Sequence, residues 1–208
     1  MNVRTNTAQV VSARARRAAV AGTLLLTALA ASPLHAATNE QARRIYERIA
    51  GVPPSAAELA SMASALSACG ASCAPGAAQL VTAAQTATSA PSFYNVTLKN
   101  MVIPWTNRDQ TVFAPFNDYA ATVIGMVRDD VPFNTALSAD ILYVVNGVSP
   151  APSNSSNAHY AAAEAQGVDL FAALKKSSQS AVYGTPSAAT AGLLTTYAAE
   201  SAFFINGT

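Results

Sequence analysis

The chain has 208 residues, of which 51% are hydrophobic, 11% charged and only 7% aromatic. That length suffices for a domain with a real core, and a core so poor in aromatics has to be built from Ala, Leu, Val and Ile on closely packed helices rather than on strands. Outside the first 36 residues there are 8 basic and 11 acidic side chains, a mildly acidic balance without the basic stripe that a nucleic-acid partner requires.

Residues 1–36 have the layout of a bacterial secretory signal. Arg4, Arg14, Arg16 and Arg17 precede an uncharged, mostly apolar run at 18–31, and Pro33 comes before Leu34-His35-Ala36, a small-residue cleavage point ahead of Ala37. The expected product is periplasmic or secreted. The apolar run is shorter than the roughly 20 residues of a membrane span, which disfavours the rival reading of a retained anchor. Arg16-Arg17 lacks the continuation of a twin-arginine signal, which favours general secretion. No later segment is apolar for long enough to cross a bilayer.

Asn39 is a candidate cap for a helix reaching Ala50, with Ala42, Ile45, Tyr46 and Ile49 on one face and Gly51 ending it in the left-handed conformation. Pro53 and Pro54 forbid continuation. Ser55 and Glu58 form a capping box for a second helix whose apolar face carries Leu59, Met62 and Leu66. Cys69 and Cys73 follow, in "ACGASCAPG". In an exported chain such a pair most often forms a disulfide; a metal pair and a redox switch are the alternatives. His159 is the only histidine after the signal, too few for a zinc site, and a redox motif normally has two residues between its cysteines where this one has three.

A helix is predicted at 77–88. Another restarts at Ala90-Pro91-Ser92, runs through Phe93, Val96, Leu98 and Met101, and ends at Pro104. Residues 103–116, with Trp105, Asn107, Arg108, Asp109 and two prolines, read as an ordered loop. Asn117 caps a helix with Tyr119, Val123, Ile124 and Val127 on one side. Asn134 begins the next, with Leu137, Ile141, Leu142 and Val145 buried. "GVSPAPSNSSN" at 147–157 is a linker or loop, dividing a helical domain at 37–146 from C-terminal helices at 158–208. Those are a short helix near His159, an amphipathic one through Leu170 and Leu174, and an apolar one from 188 to 205. The fold class is all-α: an irregular bundle of about eight short helices after a cleaved signal peptide.

The stretch "RRIYERIAGVPPSAAEL" at 43–59 resembles the Arg-Arg-Leu-Tyr…Leu-Thr-Gly-Leu-Pro-Pro-Thr…Glu pattern of planctomycete cytochrome-associated domains of unknown function. "DYAATVIGMVRDDVPFNTALSADILY" at 118–143 is similar to a later helix pair of that family, and "AGLLTTYAAESAFFINGT" to a Gly-Leu-Leu-Thr-Thr segment of related exported proteins. The resemblance implies an exported helical protein that works beside a cytochrome or another exported redox protein. It implies no reaction, because the family's own activity is not established. Its members are often associated with Cys-x-x-Cys-His haem sites, and this chain has no such motif, so no cofactor is expected here. In the relatives the last segment continues toward a haem site. With Phe203, Phe204 and Ile205 so near the last residue, the chain is expected to be an N-terminal portion of a longer ancestral protein.

The sequence holds no Gly-x-Ser-x-Gly elbow, phosphate loop or dinucleotide fingerprint. A Ser-His-Asp triad would have to use His159, beside the Ser/Asn-rich segment, where a solvated histidine is expected. Asp129-Asp130 reads as acidic residues at a helix–helix turn, one of them capping the next helix's amides, and no calcium loop accompanies them. Three Asn-x-Ser/Thr matches, at Asn95, Asn154 and Asn206, are ascribed to chance in a bacterial export context. Charge, aromatic and proline converge only in the 103–118 loop, so Trp105, Arg108, Asp109 and Asp118 are the candidate ligand residues. The expected function is a non-catalytic scaffold or partner-binding module. The alternative is an exported enzyme, or part of one, with its site in that loop. No catalytic or metal-ligating set is assigned.

Overall fold

A computed structural model describes residues 32–69, 73–107 and 114–204. Most of the signal segment, residues 1–31, therefore lies outside the described residues, as do Arg108, Asp109 and Asn206. Nine α-helices and one two-stranded sheet are found among the described residues, in two compact units. The first comprises the described residues up to Tyr46 together with Pro54–Thr86. The second comprises Glu47–Pro53 and the described residues from Ala87 onward.

The first unit is built on α1 (Ser32–Ala50), α2 (Ala56–Ser67) and α3 (Ala78–Thr88). α1 begins upstream of the expected cap: Asn39 is exposed within it. A proline at the second position costs nothing in a first turn, and no breaker follows before Gly51. The capping box of α2 is present. Ser55 Oγ accepts from the Glu58 amide at 3.2 Å and Glu58 Oε2 from the Ser55 amide at 2.8 Å. Glu58 also accepts from the Tyr46 hydroxyl at 2.6 Å, so α1 and α2 are tied at the corner by the residue that caps the second helix. Met62 and Leu66 are buried, and Leu59 is half-buried. Cys69 and Cys73 are disulfide-bonded.

The second unit opens with the end of α1, where Gly51 at φ +75° closes the helix and Thr97 Oγ1 donates to the Ile49 carbonyl at 2.8 Å. A π-helical stretch (Phe93–Leu98) runs into α4 (Lys99–Val102) and a 3-10 turn (Ile103–Thr106). Pro104 starts that turn rather than ending the helix, because a missing N–H does no harm in a first turn. α5 (Asp118–Arg128) is the centre of the unit. Every residue from Asp118 to Met126 except Tyr119 is buried, the signature of a helix surrounded on all sides.

The helix expected from Asn134 is replaced by a 3-10 turn (Phe133–Thr135) and strand β1 (Leu142–Val145). Ile141, Leu142 and Val145 are buried as expected, whereas Leu137 is exposed. After α6 (Ala158–Ala165) and α7 (Leu170–Ala173), β2 (Leu174–Ser177) pairs antiparallel with β1 in the register Leu142↔Ser177 to Val145↔Leu174. The 147–157 segment is thus a loop between two parts of one unit. α8 (Gln179–Tyr183) follows. The apolar helix expected from 188 is broken into 3-10 turns (Ser187–Ala189, Gly192–Thr195), α9 (Tyr197–Ala199) and a π turn (Glu200–Phe204). Gly192, at φ +55°, makes the break. A Cβ there would run into the Ala136 carbonyl, which accepts from the Leu193 amide at 2.7 Å.

β1 has a partner strand on one edge only. Side chains finish the other: Tyr143 N donates to Thr122 Oγ1 at 3.1 Å, the Tyr160 hydroxyl donates to the Tyr143 carbonyl at 2.9 Å, and Val145 N donates to His159 Nε2 at 3.2 Å. A buried strand edge needs those partners, because an orphaned buried N–H or C=O costs on the order of 1–3 kcal/mol.

Candidate functional site

Trp105 stands in the Ile103–Thr106 turn with 45% of its surface exposed, its ring edge-on to Tyr119 at a centroid distance of 6.4 Å. Met101, four residues earlier, is 49% exposed, while Val102 and Ile103 between them are buried. Asn117 closes this region. Its Oδ1 caps the Ala120 amide at 2.9 Å and its Nδ2 donates to Thr106 Oγ1 at 3.0 Å. The Asn cap anticipated from sequence therefore has a second task, joining the start of α5 to the turn that presents Trp105.

Asp118 does not share a site with Trp105; its carboxyl is buried in the core, 1% exposed. Oδ1 accepts from the Tyr119 and Ala198 amides at 2.9 and 3.0 Å, and Oδ2 from the Tyr197 amide and the Tyr183 hydroxyl at 2.6 and 3.0 Å. Burial pushes this carboxyl up from its ordinary value, against the pull of those four donors. Burial likewise pushes the Tyr183 and Tyr160 phenols up, reinforced by the nearby Asp118 charge.

At the other end of α5, Arg128 forks onto Asp129 at 2.7 and 3.0 Å and sends Nη1 to the Phe171 and Leu174 carbonyls at 3.0 and 2.6 Å. The Tyr143 hydroxyl donates to Asp129 Oδ2 at 2.7 Å. The Arg128 fork, with Tyr143, holds the Asp129 carboxyl below the usual carboxylate range. Asp129 therefore serves the helix that ends there rather than the amides of the following turn. Asp130 takes the left-handed backbone, φ +50°, that reverses the chain.

His159 is buried, not solvated. Nδ1 lies 2.7 Å from the Pro150 carbonyl and Nε2 accepts from Val145. That pattern fixes the neutral tautomer with the proton on Nδ1, leaving neither nitrogen for a substrate. A cleft of about 50 Å³ opens between the π-helical stretch and α6. Lys99 and Glu164 pair in its wall at 2.8 Å, and Glu164 also accepts from the Phe116 amide at 2.9 Å. Burial raises the Glu164 carboxyl, but Lys99 and that amide outweigh it and hold it below the usual range. Asn95 lines the same cleft with both amide atoms engaged, by the Val168 carbonyl and the Leu170 amide. Sequence reasoning singled out neither Lys99 nor Glu164. They are 65 residues apart, on helices with no shared periodicity, and nothing local signals the pair.

No family model, no curated protein and no solved structure matches this chain. No group of three or more His, Cys, Asp or Glu side chains able to hold a metal ion occurs among the described residues. Ser180 donates to Asp140, a serine–carboxylate contact without a histidine, and the same carboxyl accepts from the Ser180 amide at the start of α8. What remains at the surface, unabsorbed by internal hydrogen bonding, is the Trp105–Met101 pair on its Asn117-braced turn.

Proposed function

We propose that this chain is an exported, non-catalytic helical module that docks a cytochrome or another exported redox protein through the Trp105–Met101 face. The observation that carries the reading is a tryptophan held half-exposed on a braced turn, beside an exposed methionine. Both residue types are enriched where protein partners meet. The signal-like layout of residues 1–36 supports export, and the 43–59 motif supports the redox setting.

Trp105 is the only tryptophan, so its fluorescence reports on its own surroundings. Titration with c-type cytochromes from the same exported system is expected to quench it by energy transfer to haem. Trp105→Phe at the same fold is expected to weaken co-purification. Unchanged fluorescence at saturating cytochrome, with co-purification indifferent to the substitution, would remove the docking face. Mass spectrometry of exported protein is expected to give an N-terminus at or near Ala37. The rival reading, an enzyme with its site in the 103–118 loop, would be favoured instead if Arg108→Ala and Asp109→Ala folded normally yet abolished a ligand-induced melting shift.

A further inference from the structure

Asp118 is a buried carboxyl with no cation beside it, and it holds together two parts of the chain 79 residues apart in sequence. Two of its four donors are the Tyr197 and Ala198 amides, which open the C-terminal segment of α9 and the π turn Glu200–Phe204. The same segment buries Ala198, Ala199 and Ala202. A third donor, the Tyr183 hydroxyl, interacts in turn with the Tyr160 hydroxyl, and that group donates to the Tyr143 carbonyl.

This arrangement can be satisfied in two protonation states. With Asp118 ionised, all four donors point at it. With Asp118 protonated on Oδ2, its O–H can donate to the Tyr183 oxygen while that hydroxyl rotates to donate to Tyr160, and the Tyr143 carbonyl terminates the chain in both cases. The backbone amides keep an acceptor throughout. Undocking the C-terminal segment removes two donors and admits water, returning the carboxyl to an ordinary environment.

We propose that docking of the 197–204 segment on α5 is coupled to proton uptake at Asp118, making the segment a latch that is tight in acid and loosens as pH rises. The sign follows from linkage. Burial raises the carboxyl's pKa in the docked state, so docking stability is fully present below the ordinary carboxylate value and is lost as pH climbs through the docked one. The ionisable groups beside it are Tyr183 on α8 and Tyr160 on α6. Charged residues on other elements of this region are engaged or exposed: Lys99 pairs with Glu164, and Lys175, Lys176 and Glu200 are exposed.

The test is hydrogen exchange of the Ala198 and Ala199 amides from pH 4 to 8, corrected for intrinsic rates, alongside carbon NMR titration of the Asp118 carboxyl. Corrected opening is expected to grow with pH by up to about tenfold per unit across the carboxyl's titration, and Asp118→Asn is expected to abolish that slope. The carboxyl itself is expected to titrate above the ordinary aspartate range. A carboxyl titrating at or below that range, or protection that strengthens with pH, overturns the proposal. Should Asp118→Asn fail to fold, the carboxyl titration of the unaltered protein decides alone.

Discussion

Gly125 lies in the middle of α5, where a helix would ordinarily gain about 1 kcal/mol from alanine. Here the gain is expected to be reversed. A Cβ built on Gly125 falls inside the ring of Tyr143, with even Cε1 at 2.5 Å, below the 3.0 Å that real Cβ contacts respect. That ring is fully buried, and its hydroxyl is committed to Asp129 while Arg128 lies 5.8 Å from its centroid. Overpacking of this kind costs about 1–3 kcal/mol, and displacing the phenol from a charged partner about 1.5–3 more. After the helix-propensity gain, Gly125→Ala should destabilise the protein by roughly 3 kcal/mol. Urea denaturation followed by circular dichroism measures it. Gly147→Ala is the control, because that glycine has φ +76° and open space around its Cβ; it should lose only about 1 kcal/mol, from the left-handed backbone. Pairing Gly125→Ala with Tyr143→Val should recover much of the loss, since the smaller side chain vacates the space. A Gly125→Ala variant as stable as the parent would refute the packing of β1 on α5.

Replacing His159 with alanine should cost about 2–4 kcal/mol, since it orphans the Val145 amide and leaves a cavity; a urea midpoint close to the parent's would show that water serves that amide equally well. Asp129 ionises more readily folded than unfolded, so its contribution should be intact above about pH 4 and fade as pH falls through its lowered folded value. Arg128→Ala should flatten that part of the acid profile, and an unchanged profile would mean the fork contributes nothing. Thiol labelling without reductant should find neither Cys69 nor Cys73 free, and Cys→Ser at both should lower stability by about 2 kcal/mol or less, because the loop they close is short.

The parts of the fold legible in sequence are those fixed locally. The Ser55–Glu58 box, the Gly51 stop and the Asn117 cap each depend on residues within four positions, and each is where the sequence places it. The strand pair was hidden for the opposite reason. Leu137, Ile141 and Val145 recur at helical spacing, yet "ILYVV" is also β-branched and aromatic, and the pairing with "LKKS" about thirty residues later decides between the two. Nothing in Leu-Lys-Lys-Ser announces a strand; it becomes one because Arg128 holds the carbonyls where α7 ends and β2 begins.

The same long-range logic explains why the candidate site was only partly legible. His159, Asp118 and Asp129 are the residue types that a search for chemistry selects, and the fold uses each one to finish a backbone edge or a helix end. β1 is the reason for the first. A lone pair of strands inside a helical unit leaves one buried edge without a sheet, so imidazole, phenol and threonine hydroxyl take the place of a third strand. Once Asp118 is bound to Tyr197 and Ala198, it cannot also serve the loop that Trp105 fronts. A binding role for this protein must then fall to side chains that the core leaves aside, and Trp105 and Met101 are such residues. Function read from this surface is association, with the one titratable device of the core set to govern how firmly the C-terminal segment is held.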